Sequence, residues 1–245
     1  MKRAMIGIYN RLLEQHGKQN WWPVTPQGEL LPEYSGGPKD DRQRLEVAVG
    51  AILTQNTSWK NVSKAIQKLY ERELMDLEGL TNVEQEELAE VIRSSGYYRE
   101  KAKKLKNLGR FLFKNPFCDM LRAPTAKLRG ALLSINGVGP ETADSILLYA
   151  LGKPSFVVDA YALRIFTRLG LFAEGSKVST GKKYLQIQGV FHAQLERRAS
   201  LFNEYHALIV AHGKDVCKKR PFCGDCALGG LCPKSSRLPE SSQLY

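Results

Sequence analysis

Four of the five cysteines fall within sixteen residues, in the spacing C-x5-C-x2-C-x5-C, at Cys217, Cys223, Cys226 and Cys232. Four thiolates so close in sequence can surround one tetrahedral ion or a cubane cluster. The spacing alone does not separate zinc from iron–sulfur. Such crowding in a long chain favours metal ligation over disulfide bonds. The remaining Cys118 is expected to pack as a small apolar side chain.

A glycine turn, Gly137-Val138-Gly139, lies between two apolar segments and precedes a helix start at Pro140. Glycine permits backbone angles closed to other residues, and proline suits the first helical position. Backbone N–H groups at a helix start attract anions, so the turn could hold a nucleic-acid phosphate. An ordinary tight connection between packed helices would use the same residues. About twenty residues later comes Asp159, which could cap a helix or act as a catalytic carboxylate.

The charge balance fits a polyanionic partner. Lysine and arginine total 36 against 25 acidic residues, which gives a formal net charge of +11. A chain this basic attracts nucleic acid, although basic surfaces also serve solubility alone. The N-terminal apolar residues are interrupted by Asn10 and Arg11, which indicates an amphipathic helix instead of a signal peptide. No apolar run approaches a membrane span, and we expect a cytoplasmic protein that associates with the nucleoid.

Hydrophobic residues at helical spacing predict the elements that position these groups. Asp40 or Asp41 could cap the helix that carries Leu45 to Leu53. The helix over 99–114 places four leucine and alanine residues inward. Its other face carries Lys101, Lys103, Lys104, Lys106 and Arg110. Further helices are predicted at 2–16, 60–73, around 88–92, 125–133, 140–151, 159–169, 180–191 and 194–212. Strand pairs with hairpin turns are lacking, and the predicted fold is all-α.

The stretch 132–143, which reads L-x-x-I-x-G-V-G-P-E-T-A, resembles the helix-hairpin-helix of the endonuclease III (HhH-GPD) superfamily of DNA glycosylases. The likeness covers roughly residues 42–233. Leu53-Thr54-Gln55-Asn56-Thr57 resembles the L-[ST]-x-Q-x-T segment of that superfamily, and residues 96–102 resemble its G-[LY]-[YF]-x-x-K-A segment. The stretch 206–213 and the cysteines follow in the expected order. This resemblance implies that Gly137, Val138 and Gly139 contact DNA and that Gln55 fills the space left by a flipped base.

The same resemblance implies a role for the cysteines and for Asp159. It implies a [4Fe–4S] cluster on the loop 217–232, whose first gap is one residue shorter than in the best-known members. Lys218, Lys219 and Arg220 lie in that gap and would meet the DNA backbone; the alternative is a solvated basic loop. Asp159 would stabilise the cationic sugar formed during glycosidic cleavage and orient the attacking water.

Two departures from the family pattern narrow the chemistry. Lyase-competent members carry a lysine where this chain has Glu141, and a carboxylate cannot form their Schiff base with the sugar. We therefore predict a monofunctional glycosylase. Mismatch-adenine glycosylases carry a glutamate four residues before the family glutamine. That position is Ala51 here, so the general acid for adenine is absent.

A tryptophan-rich segment indicates the substrate. Trp21-Trp22-Pro23 and Thr54 to Trp59 resemble two segments of the 3-methyladenine DNA glycosylase III group, in which aromatic residues line the base pocket. Tryptophan faces attract a cationic base, and an alkylated purine is cationic and leaves without strong acid help. Trp21, Trp22, Pro23 and Trp59 are thus the predicted pocket; the alternative is that these rings only pack the domain.

The resemblance also implies an architecture of two helical domains that flank a DNA-binding cleft. One is a six-helix domain at 42–153, which contains the hairpin. The other joins 1–41 to 154–245 and carries the cluster. We predict a monomeric base-excision-repair glycosylase that acts on alkylated purines in double-stranded DNA. The alternatives are a bifunctional endonuclease III-like enzyme for oxidised pyrimidines and a non-catalytic iron–sulfur DNA-binding protein.

Overall fold

The computed structural model describes residues 2–171 and 178–235, and its regular structure is helical. Within those ranges the only β-type pairing is an isolated antiparallel bridge between Val24 and Glu33. This confirms the predicted all-α fold. No helix in the described part of the chain is both long and apolar enough to cross a membrane. The α-helices are α1 Lys2–His16, α2 Asp41–Leu53, α3 Trp59–Glu71, α4 Leu77–Asn82, α5 Gln85–Val91, α6 Tyr98–Lys114, α7 Phe117–Arg122, α8 Thr125–Leu133, α9 Pro140–Ser145, α10 Ala160–Arg168, α11 Thr180–Gln194 and α12 Ala199–Asp215.

The chain forms two compact units. The discontinuous unit comprises Met1–Gln19 and Phe156–Tyr245, and the central unit comprises Asn20–Ser155. A π-helical segment, Ile146–Ala150, continues α9 in the central unit. Short 3-10 turns follow α5 at Arg93–Ser95 and lie in the cysteine loop at Gly229–Leu231.

Helix α2 lies at the centre of the central unit and contacts α3, α6, α9 and the π-helical segment. Asp40 is its N-cap, and the Asp40 carboxylate accepts a hydrogen bond from the Gln43 N–H at 2.8 Å. Every residue from Leu45 to Leu53 is buried. A helix that is buried on all sides needs apolar or small side chains all round, and this segment supplies them at every position except Glu46.

The predicted domain boundary placed residues 20–41 in the discontinuous domain. In the structure they belong to the central unit, where Thr25 is hydrogen-bonded to residues of α2. The fully buried carboxylate of Glu46 accepts hydrogen bonds from the backbone and hydroxyl of Thr25 and from the Tyr70 hydroxyl. Burial raises the pKa of Glu46, while these donors act in the opposite direction. The network ties the loop and α3 to one side of α2.

The discontinuous unit has an aromatic core. Phe156 stacks on Phe191 with ring centroids 3.4 Å apart, and Phe202 meets Phe156 edge-on at 5.6 Å. The fully buried Tyr205 donates a hydrogen bond to the Met5 carbonyl at 2.8 Å, which fastens α1 to α12. Helix α12 also packs against α10. The unit therefore holds α10, whose start carries Asp159, against a rigid neighbour.

Three expectations about individual side chains are wrong. Lys101 and Lys106 lie inside the central unit, because backbone carbonyls accept hydrogen bonds from their ammonium groups. The Lys101 Nζ lies 2.8 Å from the Leu53 carbonyl oxygen at the end of α2. Cys118 is exposed, because α7 turns Phe117 and Met120 inward instead.

Candidate functional site

The glycine turn connects α8 and α9, as the sequence predicts. Gly137 has a φ of +96°, and Gly139 is the N-cap residue before Pro140. Val138 is buried at 6% exposure, which anchors the middle of the turn. The turn therefore has a fixed backbone that brings glycine, without side-chain bulk, to the start of α9.

A lysine that the sequence did not single out covers this turn. The methylene groups of Lys104 lie where a side chain at position 137 would be: a Cβ there would come within 2.9 Å of the Lys104 Cδ. The Lys104 ammonium donates to the Gln55 amide oxygen at 2.6 Å. The Gln55 amide nitrogen in turn donates to the Thr142 hydroxyl at 3.0 Å. Gln55 is therefore hydrogen-bonded to the hairpin, and Lys104 contacts both Gln55 and Gly137.

The hairpin is also fixed from within by an ion pair. The Arg129 guanidinium, on α8, makes two bonds of 2.8 and 2.9 Å to the Asp144 carboxylate on α9. The Asp144 side chain is fully buried and also accepts a hydrogen bond from the Ser155 hydroxyl at 2.6 Å. This bidentate pair sets the relative position of the two hairpin helices.

Glu141 lies in the first turn of α9 and is exposed. An acidic residue is favoured there because the start of a helix carries partial positive charge. The side chain ends in a carboxylate, and this position therefore offers no amine to a sugar.

The predicted base-pocket residues form one aromatic cluster in the central unit. Trp21 lies 5.1 Å from Trp59, Trp22 lies 5.2 Å from Tyr149, and Tyr34 borders Trp21 at 6.0 Å between ring centroids. Trp22, at 4% exposure, is buried, and so is Pro23. Trp21 and Trp59 keep part of their surface exposed. The cluster therefore has a packed interior with Trp22 and an accessible part with Trp21 and Trp59.

Asp159 is the N-cap residue of α10. Its Oδ1 accepts a hydrogen bond from the Ala162 N–H at 2.8 Å, and its Oδ2 lies 3.8 Å from the Nε2 of His206. The Asp159 side chain is 13% exposed. One carboxylate oxygen is therefore held by the helix, and the other faces an imidazole that sequence reasoning did not single out.

All four clustered cysteines line a single cavity in the discontinuous unit. Burial raises the pKa of the Cys223 and Cys226 thiols, and the other cysteines raise it further. Within residues 2–171 and 178–235, no three His, Cys, Asp or Glu side chains meet closely enough to hold a single metal ion. Four thiolates would repel one another around this cavity unless a cationic group lay between them.

Polar contacts surround the cysteine cavity. Arg168, at the end of α10, donates to the Cys217 sulfur at 3.1 Å and to the Lys218 and Lys219 carbonyls. The side chains of Lys218, Lys219 and Arg220 are exposed, and the Lys218 ammonium lies 4.9 Å from the Phe222 ring centre. The basic residues of the first cysteine gap are therefore on the surface of a loop that Arg168 holds in place.

Comparison with known proteins gives one consistent family. The family described as "HhH-GPD superfamily base excision DNA repair protein" matches residues 49–186. A Methanocaldococcus jannaschii protein, provisionally named a DNA repair glycosylase, is 45% identical over 92% of this chain and 94% of its own length.

Two solved structures extend the comparison. The H. pylori 3-methyladenine DNA glycosylase MagIII, bound to 1,N6-ethenoadenine, is 26% identical with a TM-score of 0.63; the match covers 87% of this chain and 95% of that one. Endonuclease III trapped as a covalent intermediate with DNA is 21% identical with a TM-score of 0.72, over 97% of this chain and 98% of that one. The latter likeness shows the fold alone.

Proposed function

Because this chain belongs to the HhH-GPD superfamily of base excision DNA repair proteins, we propose that it is a monofunctional DNA glycosylase for alkylated purines such as 3-methyladenine. It would flip the damaged base out of duplex DNA and hydrolyse the N-glycosidic bond with the help of Asp159. Two observations together carry this proposal: the helix cap holds the Asp159 carboxylate, and position 141 has a carboxylate and no amine.

Asp159 supplies the charge that the reaction requires. Departure of the base leaves an oxocarbenium-like sugar, and a nearby carboxylate stabilises that positive charge. The helix cap occupies Oδ1, which leaves Oδ2 to face the sugar or to accept a proton from the attacking water. Capping therefore orients the carboxylate and does not compete with its chemistry.

Glu141 limits the reaction to base removal. Strand cleavage by a lyase needs an amine that attacks the sugar carbon and forms a Schiff base. The Glu141 carboxylate cannot do so, and the product is expected to be an intact strand with an abasic site. A water molecule, not the protein, is then the nucleophile.

The aromatic cluster supports a cationic base as the substrate. The exposed parts of Trp21 and Trp59 would stack on the flipped base, while the buried Trp22 packs against both rings and the buried Pro23 follows it in the chain. Stacking and cation–π attraction contribute about 1–3 kcal/mol per ring. A cationic purine is also a good leaving group, which suits a site with one carboxylate. The similarity to MagIII adds support.

The proposed DNA contacts come from both units. Gly137, Val138 and Gly139 would approach a phosphate through their backbone, with the ammonium of Lys104 beside them. Lys218, Lys219 and Arg220 would meet the backbone from the cysteine loop. Gln55, at the end of α2, would fill the space left by the flipped base. We propose that the partner is double-stranded DNA that contains a damaged base, and that a monomer binds it.

The cysteine cavity supports a [4Fe–4S] cluster. The support is the donor set, since four thiol groups that can ligate as thiolates line one cavity. Cys217, Cys223, Cys226 and Cys232 would hold it, and its iron ions would offset the mutual repulsion of the four thiolates. Anaerobic absorption spectra with iron and sulfide analysis test this assignment; stoichiometric zinc would contradict it.

A lesion panel tests the function. Purified protein is incubated with duplexes that contain 3-methyladenine, thymine glycol or uracil. Asp159→Asn should abolish excision of 3-methyladenine. Asp40→Asn is the matched control, because Asp40 caps α2 with the same hydrogen bond and asparagine preserves both caps.

Two results would redirect the proposal. A covalent enzyme–DNA adduct trapped by borohydride, with strand cleavage at thymine glycol, would favour the bifunctional endonuclease III-like activity. Tight DNA binding without excision of any lesion would favour a non-catalytic iron–sulfur DNA-binding protein.

A further inference from the structure

A second residue faces the Asp159 carboxylate from a different helix. His206 lies on α12, and its Nε2 is 3.8 Å from the Asp159 Oδ2. Both side chains are largely buried, at 8% exposure for His206 and 13% for Asp159. Because the Ala162 N–H occupies Oδ1, His206 faces the oxygen that is left for chemistry.

The packing of α10 against α12 fixes this approach. A Cβ added at Gly213 would come within 2.9 Å of the Tyr161 ring, so only glycine allows the two helices to lie this close. Gly213 is two turns along α12 from His206, and Tyr161 is two residues after Asp159. The imidazole also meets the Phe156 ring edge-on at 6.2 Å between ring centroids. The close packing of α10 on α12 and the contact with Phe156 therefore hold His206 in place.

The imidazole is suited to orient the carboxylate without cancelling its charge. Burial lowers the pKa of His206, and the nearby Asp159 acts in the opposite direction as the smaller effect. A neutral imidazole can donate one N–H and leave the full negative charge on the carboxylate. A protonated imidazole would form an ion pair and weaken the attraction of Asp159 for a cationic sugar.

We propose that His206 is a positioning residue for Asp159, which donates its Nε2–H to Oδ2 and sets the plane of the carboxylate when damaged DNA is bound. Closure by about 0.8 Å would bring the two atoms to hydrogen-bond distance, and catalytic hydrogen bonds are often long before substrate binds. This inference rests on the proposed glycosylase function of Asp159.

Two substitutions at one position test the proposal. His206→Leu removes the donor, and His206→Gln replaces the Nε2–H with an amide N–H at similar reach. Excision of 3-methyladenine is measured under single-turnover conditions with enzyme in excess. Affinity for a duplex with a stable abasic analogue and the melting temperature are measured in parallel.

We expect His206→Leu to slow excision by about tenfold to a hundredfold, because a loosely oriented carboxylate loses that much rate. DNA affinity should stay at the wild-type value, and His206→Gln should recover most of the rate. Excision by His206→Leu at the wild-type rate would overturn the inference. Equal losses in both variants, together with lower DNA affinity or melting temperature, would show a purely structural role and also overturn it.

The outcome for the wild-type protein separates this inference from the proposed function. If the wild type excises no base, the glycosylase proposal is wrong and the role of His206 falls with it. If the wild type excises 3-methyladenine and Asp159→Asn does not, the proposed function stands. The His206 variants then decide the inference alone.

Discussion

Replacing Asp144 with asparagine should loosen the helix-hairpin-helix. The fully buried Asp144 carboxylate is hydrogen-bonded to the Arg129 guanidinium, and this ion pair joins α9 to α8. Asparagine keeps the size of the side chain and can still accept the Ser155 hydrogen bond. The substitution therefore removes the negative charge and replaces one acceptor oxygen with an NH2 group that cannot accept a hydrogen bond from Arg129.

The size of the effect follows from burial. Breaking a buried ion pair costs about 3–5 kcal/mol, because the remaining charge is left without a partner. The Arg129 side chain is 25% exposed, so water can recover part of that loss. We expect Asp144→Asn to lower the free energy of unfolding of the central unit by about 3 kcal/mol, the low end of that range.

Tryptophan fluorescence during urea unfolding measures this directly. The three tryptophans, at positions 21, 22 and 59, all belong to the central unit, so the signal reports the unit that holds the pair. Glu90→Gln is the matched control: it removes a carboxylate from an ion pair with Arg93 that is 58% exposed on the glutamate side. An exposed pair of this kind contributes about 0.5 kcal/mol or less.

A small effect would refute the reasoning. If Asp144→Asn shifts the unfolding midpoint no further than Glu90→Gln does, the buried pair does not stabilise the hairpin. A double variant that also replaces Arg129 with methionine should recover part of the loss, since no unpaired charge then remains. Failure to recover would mean that Asp144 acts through its other contacts.

Two further predictions concern the central unit. Gly137→Ala should destabilise this unit by about 1–2 kcal/mol because of the positive φ, and by more because the added Cβ would displace Lys104. Gly139 has open space around it and a negative φ, so the control Gly139→Ala should change the stability little. Equal melting temperatures for the two variants would contradict this prediction. Lys101→Met should lower the free energy of unfolding by about 2 kcal/mol or more, because it leaves two buried carbonyl oxygens without their donor. Lys103 is exposed, so the control Lys103→Met should keep the free energy of unfolding within about 0.5 kcal/mol of the wild-type value. Urea unfolding of both pairs checks these values, and a loss in Lys103→Met as large as in Lys101→Met would contradict the assignment.

The sequence predicted the long helices well but missed two short ones, α4 and α7. α2, α6 and α12 each run for more than three turns, so their apolar spacing repeats enough times to be recognised. α4 and α7 have six residues each, which is less than two turns and too short for a repeat. One local signal, Asp76, could have indicated where α4 begins. Aspartate is a favoured N-cap residue, and the Asp76 carboxylate accepts a hydrogen bond from the Gly79 N–H.

The residues of the candidate site also fall into those that a local sequence pattern predicts and those that it does not. Residues that belong to a local pattern, such as the glycine turn, the cysteines and the cap at Asp159, were predicted at their positions. Lys104 and His206 were not, because each meets its partner across 49 or 47 residues of sequence, and no local pattern encodes such a contact. Lys101 shows the opposite failure: its charge indicated a solvated face, yet two carbonyl oxygens hold it inside.

The contacts described for the hairpin explain how one residue can change the reaction without changing the fold. Gly137 meets Lys104, Thr142 bonds to Gln55, and Asp144 bonds to α8. These contacts position the turn whatever side chain follows Pro140. A glutamate at position 141 also suits the start of a helix better than a lysine, because the positive end of the helix dipole attracts it. The fold therefore imposes no lysine at this position. Under the proposed function, an amine there would lead to strand cleavage, whereas the carboxylate of Glu141 would leave water as the nucleophile and end the reaction at base removal.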